Sequence, residues 1–365
     1  MKKITVKTGL LKKSVQKLGA AINQKTTVPV LLNLLCRAAD DSITFTASDT
    51  EMTVIDKLEA TVEEPADFLV SFHVLQSLLS VCKEDTIELQ VYKTLVKITS
   101  GKDVFDCKYK GKLEEFPAIK MPTGKTELLF EKEFISNLVE AVTAISKDEL
   151  RQGIARVCVD VHDDGFIIVG TDGHILYKVN VPAEIKKETQ LLLSPRMVQA
   201  LSKIDEDLDI KFNEKFFSFE SNGTTVIITR PEFKYPNYAA IIPDAESNLI
   251  VDTMQLKEAF KKLNLCSESY KTADLILSKD SISATAKDDS FGTTIRVEFP
   301  CEFTGDSWEL TLSTSCMLRL LGSIKSEKIS LAVSGPTKAI VVRNPGDNNY
   351  LGLNAAKFFC QTLPN

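Results

Sequence analysis

Asp172 and His174 stand two residues apart in Thr171-Asp172-Gly173-His174, a carboxylate and an imidazole close enough in sequence to share a proton. Such a pair is common equipment for general acid–base catalysis, and Asp49 or Asp288 could assist it. The surrounding sequence argues for another role. The aspartate recurs as Ser48-Asp49 and Lys287-Asp288, whereas no histidine accompanies it in those two copies. A repeated aspartate at a strand end suits a turn, because its side chain accepts hydrogen bonds from backbone N–H groups just ahead of it. The chain has no nucleophile elbow, phosphate-binding loop or His-Glu-x-x-His pair. Its histidines, His73, His162 and His174, do not make a metal-ligand set. A non-catalytic protein with no metal and no cofactor is expected.

The aspartate is one of several markers that share a period. Helix-entry phrases around Ser71, Ser194 and Ser313 recur about every 120 residues, the interval that also separates the aspartates, and Phe116-Pro117 is matched by Tyr235-Pro236. That period is too long for a solenoid unit and suits a whole domain. Within each copy the hydrophobic pattern switches between two periods. Leu10, Leu11, Val15, Leu18 and Ile22 fall at helical spacing. Ile43-Thr44-Phe45-Thr46-Ala47 and Ile282-Ser283-Ala284-Thr285-Ala286 alternate as strands do, and Phe166-Ile167-Ile168-Val169 is a short apolar run. The three serines fall where helix N-caps belong, and Pro195 suits a first helical turn. Helices are expected over 10–22, 72–83, 134–147, 195–204, 255–263 and 314–325. The fold class is therefore α+β, three tandem copies of a two-helix, antiparallel-sheet domain. Boundaries are expected at 1–121, 126–244 and 250–365, with linkers at Lys120–Lys125 and Pro243–Asn248.

The 365 residues are 44% hydrophobic and 26% charged, the composition of a soluble globular chain able to bury several cores. The N-terminus lacks the apolar run of a signal peptide, and the stretch from Val28 to Leu35 is too short to span a bilayer. A cytoplasmic protein with no membrane partner is expected. Eight cysteines without a Cys-x-x-Cys pair read as buried thiols of a reducing compartment.

Charge is unevenly distributed. The net charge is −6, yet the expected helices carry Lys12, Lys13, Lys17, Lys83, Lys147, Arg196, Lys203, Lys257, Lys261, Lys262, Arg319 and Lys325 against only Glu140 and Glu258. Helices that are basic while the rest of the chain is acidic would form a positive face if the domains align them, the footprint of phosphate binding. Part of the pattern has an ordinary reading, since Lys83, Lys147, Lys203 and Lys325 lie in last turns, where the helix dipole favours cations. No zinc finger or RNP-like aromatic stretch is present, so DNA would be tracked without reading bases. The candidate DNA contacts are Lys12, Lys13, Lys17, Lys25, Arg151, Arg196, Lys203, Lys257, Lys261 and Arg319.

With repeats, paired helices and basic faces in view, the chain resembles the bacterial DNA polymerase III beta subunit family, the sliding clamps. The resemblance is carried by Lys25-Thr26-Thr27-Val28-Pro29-Val30-Leu31 with Leu34-Leu35, and by Thr46-Ala47-Ser48-Asp49-Thr50-Glu51-Met52. It is carried further by Thr171-Asp172-Gly173-His174 with Leu176, and by Phe233 through Tyr238 to Ile241-Ile242-Pro243. It implies a DNA sliding clamp, a ring-forming head-to-tail homodimer that encircles double-stranded DNA and tethers a replicative DNA polymerase. A clamp loader and clamp-binding repair proteins are implied as further partners.

By position the resemblance places the dimer interface at Phe105 and Cys107 against Leu265 and Cys266, and a partner-peptide pocket at Ile154, Thr171, Gly173, His174, Ile175, Leu176, Pro243, Leu351 and Leu353. Two departures bear on that pocket's specificity. Ile175 stands where the family commonly has Arg, and Leu353-Asn354-Ala355-Ala356-Lys357 replaces the common Met-Pro-Met-Arg-Leu ending. The rival reading is a β-rich scaffold that binds only protein and never encircles DNA.

Overall fold

One strand order recurs three times in the computed structural model, which describes residues 2–354 apart from 110, 123–127, 186–187, 267–270, 289, 306, 336–337 and 346. The expected linker positions 123–125, Cys360 and the tail 355–365 lie outside the described residues. Each copy contributes two four-stranded antiparallel arrays. The first arrays run Ala66–Ser71, Asn33–Ala39, Ser42–Ser48, Met52–Val62; then Thr189–Leu193, Val157–His162, Gly165–Thr171, Ile175–Pro182; then Trp308–Ser313, Thr272–Leu277, Ser281–Asp288, Thr293–Pro300. The second arrays run Lys2–Lys7, Thr86–Val91, Leu95–Ser100, Asp103–Lys108; then Leu128–Phe130, Leu208–Phe212, Phe216–Ser221, Thr224–Thr229; then Leu249–Asp252, Lys328–Ala332, Ile340–Asn344, Asp347–Asn354.

The chain forms two compact units, Met1–Ser136 with Pro195–Pro231, and Asn137–Ser194 with Glu232–Asn365. In the first unit a 12-stranded sheet joins both arrays of the first copy to the second array of the middle copy. The joint is the pairing of Met52–Val62 with Thr224–Thr229, in which Val54 faces Val226 and Met52 faces Ile228. In the second unit a 9-stranded sheet has the equivalent joint. Ile175–Pro182 pairs with Asp347–Asn354, and Leu176 faces Leu353. The remaining array of the third copy is a separate 4-stranded sheet ending on Thr293–Pro300.

The six expected helices form, each within five residues of its expected ends: α1 Thr8–Leu18, α2 Phe72–Val81, α3 Lys132–Val142, α4 Pro195–Leu201, α5 Thr253–Leu263 and α6 Thr314–Gly322. Corresponding helices bury corresponding positions. Thr8, Leu11, Val15 and Leu18 of α1 match Thr253, Leu256, Phe260 and Leu263 of α5, the three- and four-residue steps of one helical face. The N-cap expectation divides. Ser313 accepts from the Cys316 N–H at 3.3 Å, whereas Ser71 makes no side-chain capping bond. The Ser221-Asn222-Gly223 turn has positive φ at its last two positions, 36° and 82°, as a tight hairpin requires.

Candidate partner surface, basic helices and open edges

The three aspartates do hold turns. One oxygen of Asp49 accepts from the Glu51 and Met52 N–H groups, one of Asp172 from His174 and Ile175, and one of Asp288 from Ser290 and Phe291, all between 2.7 and 3.3 Å. In the first two turns the other oxygen receives an arginine from the helix that opens after the next copy's serine. Arg196 of α4 meets Asp49 Oδ2 at 2.9 Å, and Arg319 of α6 meets Asp172 Oδ2 at 2.5 Å. Arg196 also donates to the Ala20 carbonyl, and Arg319 to those of Thr143 and Ile145. Burial pushes the Asp49 carboxyl up from its ordinary value, while the Met52 N–H and the Arg196 charge pull it back.

The Asp172 turn borders an apolar surface within the second unit. Thr171 Oγ1 accepts from Gly173 N–H and donates to the Ile175 carbonyl, which fixes the turn with Gly173 at φ 90°. Arg151 donates to the Asp172 carbonyl at 3.0 Å. A side chain at Gly173 would come within 3.2 Å of that guanidinium. His174 is exposed at the turn's rim. Beside it Leu176 and Leu353 join Cys158, Val169, Leu192 and Tyr235 in a buried floor, with half-buried Leu351, Phe233, Tyr238, Ile241 and Ile242 packed above. Tyr238 donates to Asp160 Oδ2 at 2.7 Å while Gln190 donates to Oδ1 at 2.6 Å. Burial and that carboxylate push the Tyr238 hydroxyl well above its ordinary range. Of the expected pocket residues, strand pairing brings Thr171, Leu176, Leu351 and Leu353 together. Ile175 is buried, Pro243 is half-buried one residue beyond Ile242, and Ile154 is buried outside this cluster. Tyr235, Tyr238, Ile241 and Ile242 supply more of the surface than expected, and the signal for them was the aromatic and β-branched character of residues 233–242.

Most of the candidate DNA contacts are engaged within their own unit. Lys12 donates to the Cys82 carbonyl at the end of α2, and its counterpart Lys257 donates to Ile324 just beyond α6, at 3.0 and 2.7 Å. Burial, helped by Lys261, pulls the Lys257 ammonium below its ordinary value. Lys203 donates to the Gln16 carbonyl at 2.7 Å. Lys17 bridges Asp56 and Thr224, and Asp56 is only 2% exposed. Lys17, Arg196 and Arg319 are therefore committed to carboxylates. Lys13, Lys25 and Lys261 are exposed, and their ammonium groups have no partner among the described residues. Cations aimed at helix C-terminal carbonyls offset the negative end of the dipole, so this effect reaches across helix pairs as well as into last turns.

The strands at the two ends of the repeat series have open edges. Asp103–Lys108 carries Val104 and Phe105 exposed, Phe105 by 36%. Near Thr293–Pro300, Leu265 is 80% exposed and Phe291 is also exposed. The expected partners Cys107 and Cys266 point inward. Burial pushes the Cys107 thiol up, and Cys266 Sγ lies 3.2 Å from the carbonyls of Ala286 and Thr293.

A threefold series of two-array, two-helix copies defines the architecture of a DNA clamp. A family model described as DNA polymerase III beta subunit, N-terminal domain, matches residues 2–120, and one described as DNA polymerase III beta subunit, C-terminal domain, matches residues 239–354. The chain belongs to the DNA polymerase III beta subunit family. It is 23% identical to the beta sliding clamp of Bacillus subtilis, over 96% of this chain and 98% of that one, and 21% identical to that of Pseudomonas putida, over 94% and 96%. Among solved structures it is similar to the DNA polymerase III beta subunit of Thermotoga maritima, with a TM-score of 0.91 at 20% identity over 98% of this chain and 99% of that one. It is likewise similar to the Bacillus subtilis DNA polymerase sliding clamp, with a TM-score of 0.90 at 21% identity over 97% and 98%.

Proposed function

We propose that the chain is a DNA sliding clamp, a non-catalytic processivity factor that closes with a second copy into a ring around duplex DNA and tethers a replicative polymerase. The carrying observation is the sheet topology. Met52–Val62 joins Thr224–Thr229, and Ile175–Pro182 joins Asp347–Asn354, so the strand after each aspartate turn pairs with the last strand of the next copy. Continuing that rule leaves Thr293–Pro300 to pair with Asp103–Lys108 of a second copy. Two such pairings close a dimer with two-fold symmetry and cover the two edges at the ends of the repeat series. The register of the internal joints carries over as Phe105 opposite Ile295 of the second copy, and Cys107 opposite its Thr293. Phe105 and Leu265 supply apolar contact, while Cys107 and Cys266 act from inside as supports.

The three copies correspond to domains at 1–121, 126–244 and 250–365. DNA is held by phosphate contacts spread over the helices, with Lys13, Lys25 and Lys261 the most available and Lys12, Lys203, Lys257 and Arg151 adding field from partly engaged positions. Such contacts are nearly equal at every step along the duplex, which permits sliding, while ring closure supplies retention. The apolar surface of Leu351, Tyr238, Ile241 and Ile242 over Leu176 and Leu353, with His174 at its rim, takes short peptides with apolar anchors from the polymerase, the clamp loader and repair proteins. With Ile175 in place of an arginine, recognition rests on those anchors. The protein acts in the cytoplasm at the nucleoid; among the described residues no helix is long and apolar enough to cross a membrane.

The test is retention. The protein is loaded on nicked circular DNA by a clamp loader, and bound protein is counted before and after the circle is cut. Release on linearisation is the expected result, and equal retention on both forms would overturn encirclement.

A further inference from the structure

Two of the three aspartate turns are completed by an arginine, and among the described residues the third is not. Asp49 and Asp172 each spend one oxygen on turn N–H groups and give the other to Arg196 and Arg319. Asp288 spends Oδ1 in the same way on Ser290 and Phe291, and its Oδ2 has no partner among the described residues. Arg196 is the second residue after Ser194, and Arg319 the sixth after Ser313. Positions two and six past a helix start lie one turn apart on one helix face. Counting from Ser71, the equivalent position on α2 is His73, which is exposed and has no hydrogen bond among the described residues. The series therefore contains one unclaimed carboxylate oxygen on the third copy and one unclaimed basic side chain on the first, both in the slots that form an ion pair at the internal joints.

We propose that His73 of one copy binds Asp288 of a second copy, taking at the ring-closing joint the place that Arg196 and Arg319 hold within the chain. This rests on the head-to-tail closure proposed above. Because histidine replaces arginine, the joint becomes sensitive to pH: an imidazolium completes the pair and a neutral imidazole does so only weakly. The surrounding charges are mostly fixed. Around His73, Lys108 and Tyr109 line a shared groove and α1, packed against α2, carries Lys12 and Lys13, while Arg37 and Asp67 of the neighbouring strands line a different groove with Leu113 and Phe116. Around Asp288 stand Lys287 and Arg296 on its own sheet, with Glu258, Lys261 and Lys262 on the α5 helix packed against it. None of the side chains around either residue normally titrates between pH 6 and 8, so the histidine is the group that changes charge there.

The sign follows from linkage. A charged imidazole completes the pair and a neutral one does not, so the contribution is present at acid pH and is lost as pH rises through the range in which histidines give up their proton. The dimer dissociation constant is measured by sedimentation between pH 5.5 and 8.0 at fixed salt for the full chain, His73→Arg, Asp288→Asn and the double variant. The full chain is expected to weaken by about tenfold across that range. His73→Arg should be tight throughout and nearly flat with pH, and Asp288→Asn weak and flat, with the double variant no weaker than Asp288→Asn alone. A dimer with unchanged pH dependence in Asp288→Asn, or with independent effects of the two substitutions, overturns this pairing and leaves the ring reading standing. A chain that is monomeric at every pH overturns both.

Discussion

Arg319 and Asp172 lie on different copies of the repeat and meet at 2.5 Å, the guanidinium filling the one carboxylate oxygen that the Asp172 turn leaves free. The same arginine also satisfies the carbonyls of Thr143 and Ile145 just past α3, so it ties a turn, a helix end and a helix face together. Arg319→Ala would strand a largely buried carboxylate and two carbonyls. A loss of about 2–3 kcal/mol of stability is expected by calorimetry. Asp288→Asn, whose oxygen has no such partner among the described residues and whose amide oxygen can still hold the turn, should cost less than about 0.5 kcal/mol in the monomer.

Tyr350 is buried against Tyr177, and its burial pushes the hydroxyl up to about 12. Its folded pKa is raised, so its contribution is full below the unfolded value near 10 and is lost as pH climbs from there towards 12. Stability should fall over that window by about 1.4 kcal/mol per pH unit for this group. Denaturant midpoints taken from pH 9 to 12 check this, and Tyr350→Phe should fall less steeply.

Leu176 is fully buried, so a charge placed there would damage the fold before it reported on peptide binding. Leu351 is half-buried in the same surface and makes the cleaner probe. Leu351→Ala is expected to weaken a polymerase-derived peptide by about tenfold. Titration calorimetry reads the affinity, and an unchanged value at an unchanged Tm would remove this surface as the peptide site.

Replacing Lys13, Lys25 and Lys261 by alanine should lower the slope of log affinity against log salt by about 0.9 for each phosphate no longer neutralised, with no change in sequence preference. Direct DNA binding at several salt concentrations gives the slope. Lys17→Ala should instead act on stability, because it leaves Asp56 buried without its cation.

Phe105→Asp and Leu265→Asp each put a charge on an exposed apolar position at an open edge and are expected to yield monomers in native mass spectrometry. Cys107→Ser, which changes a buried thiol facing inward, should leave the dimer in place.

The threefold repeat, the six helices and the turn role of the aspartates were legible in the residues alone. These are local matters: alternation, helical spacing and an aspartate's reach to nearby N–H groups are set within a few residues. The apolar surface was legible in part, since Leu176 and Leu353 carry its floor, but only strand pairing puts two residues so distant in the chain opposite each other. What the basic residues do depends on how the chain folds back on itself. Lys12, Lys17, Arg196 and Arg319 read alike as helix-borne cations, yet one caps a neighbouring helix and three answer carboxylates distant in sequence. The physical reason is range. A charge is settled by whatever the fold brings within a few ångströms of it, and neither a carbonyl at a helix end nor a carboxylate on another copy's turn can be read from the residues beside it.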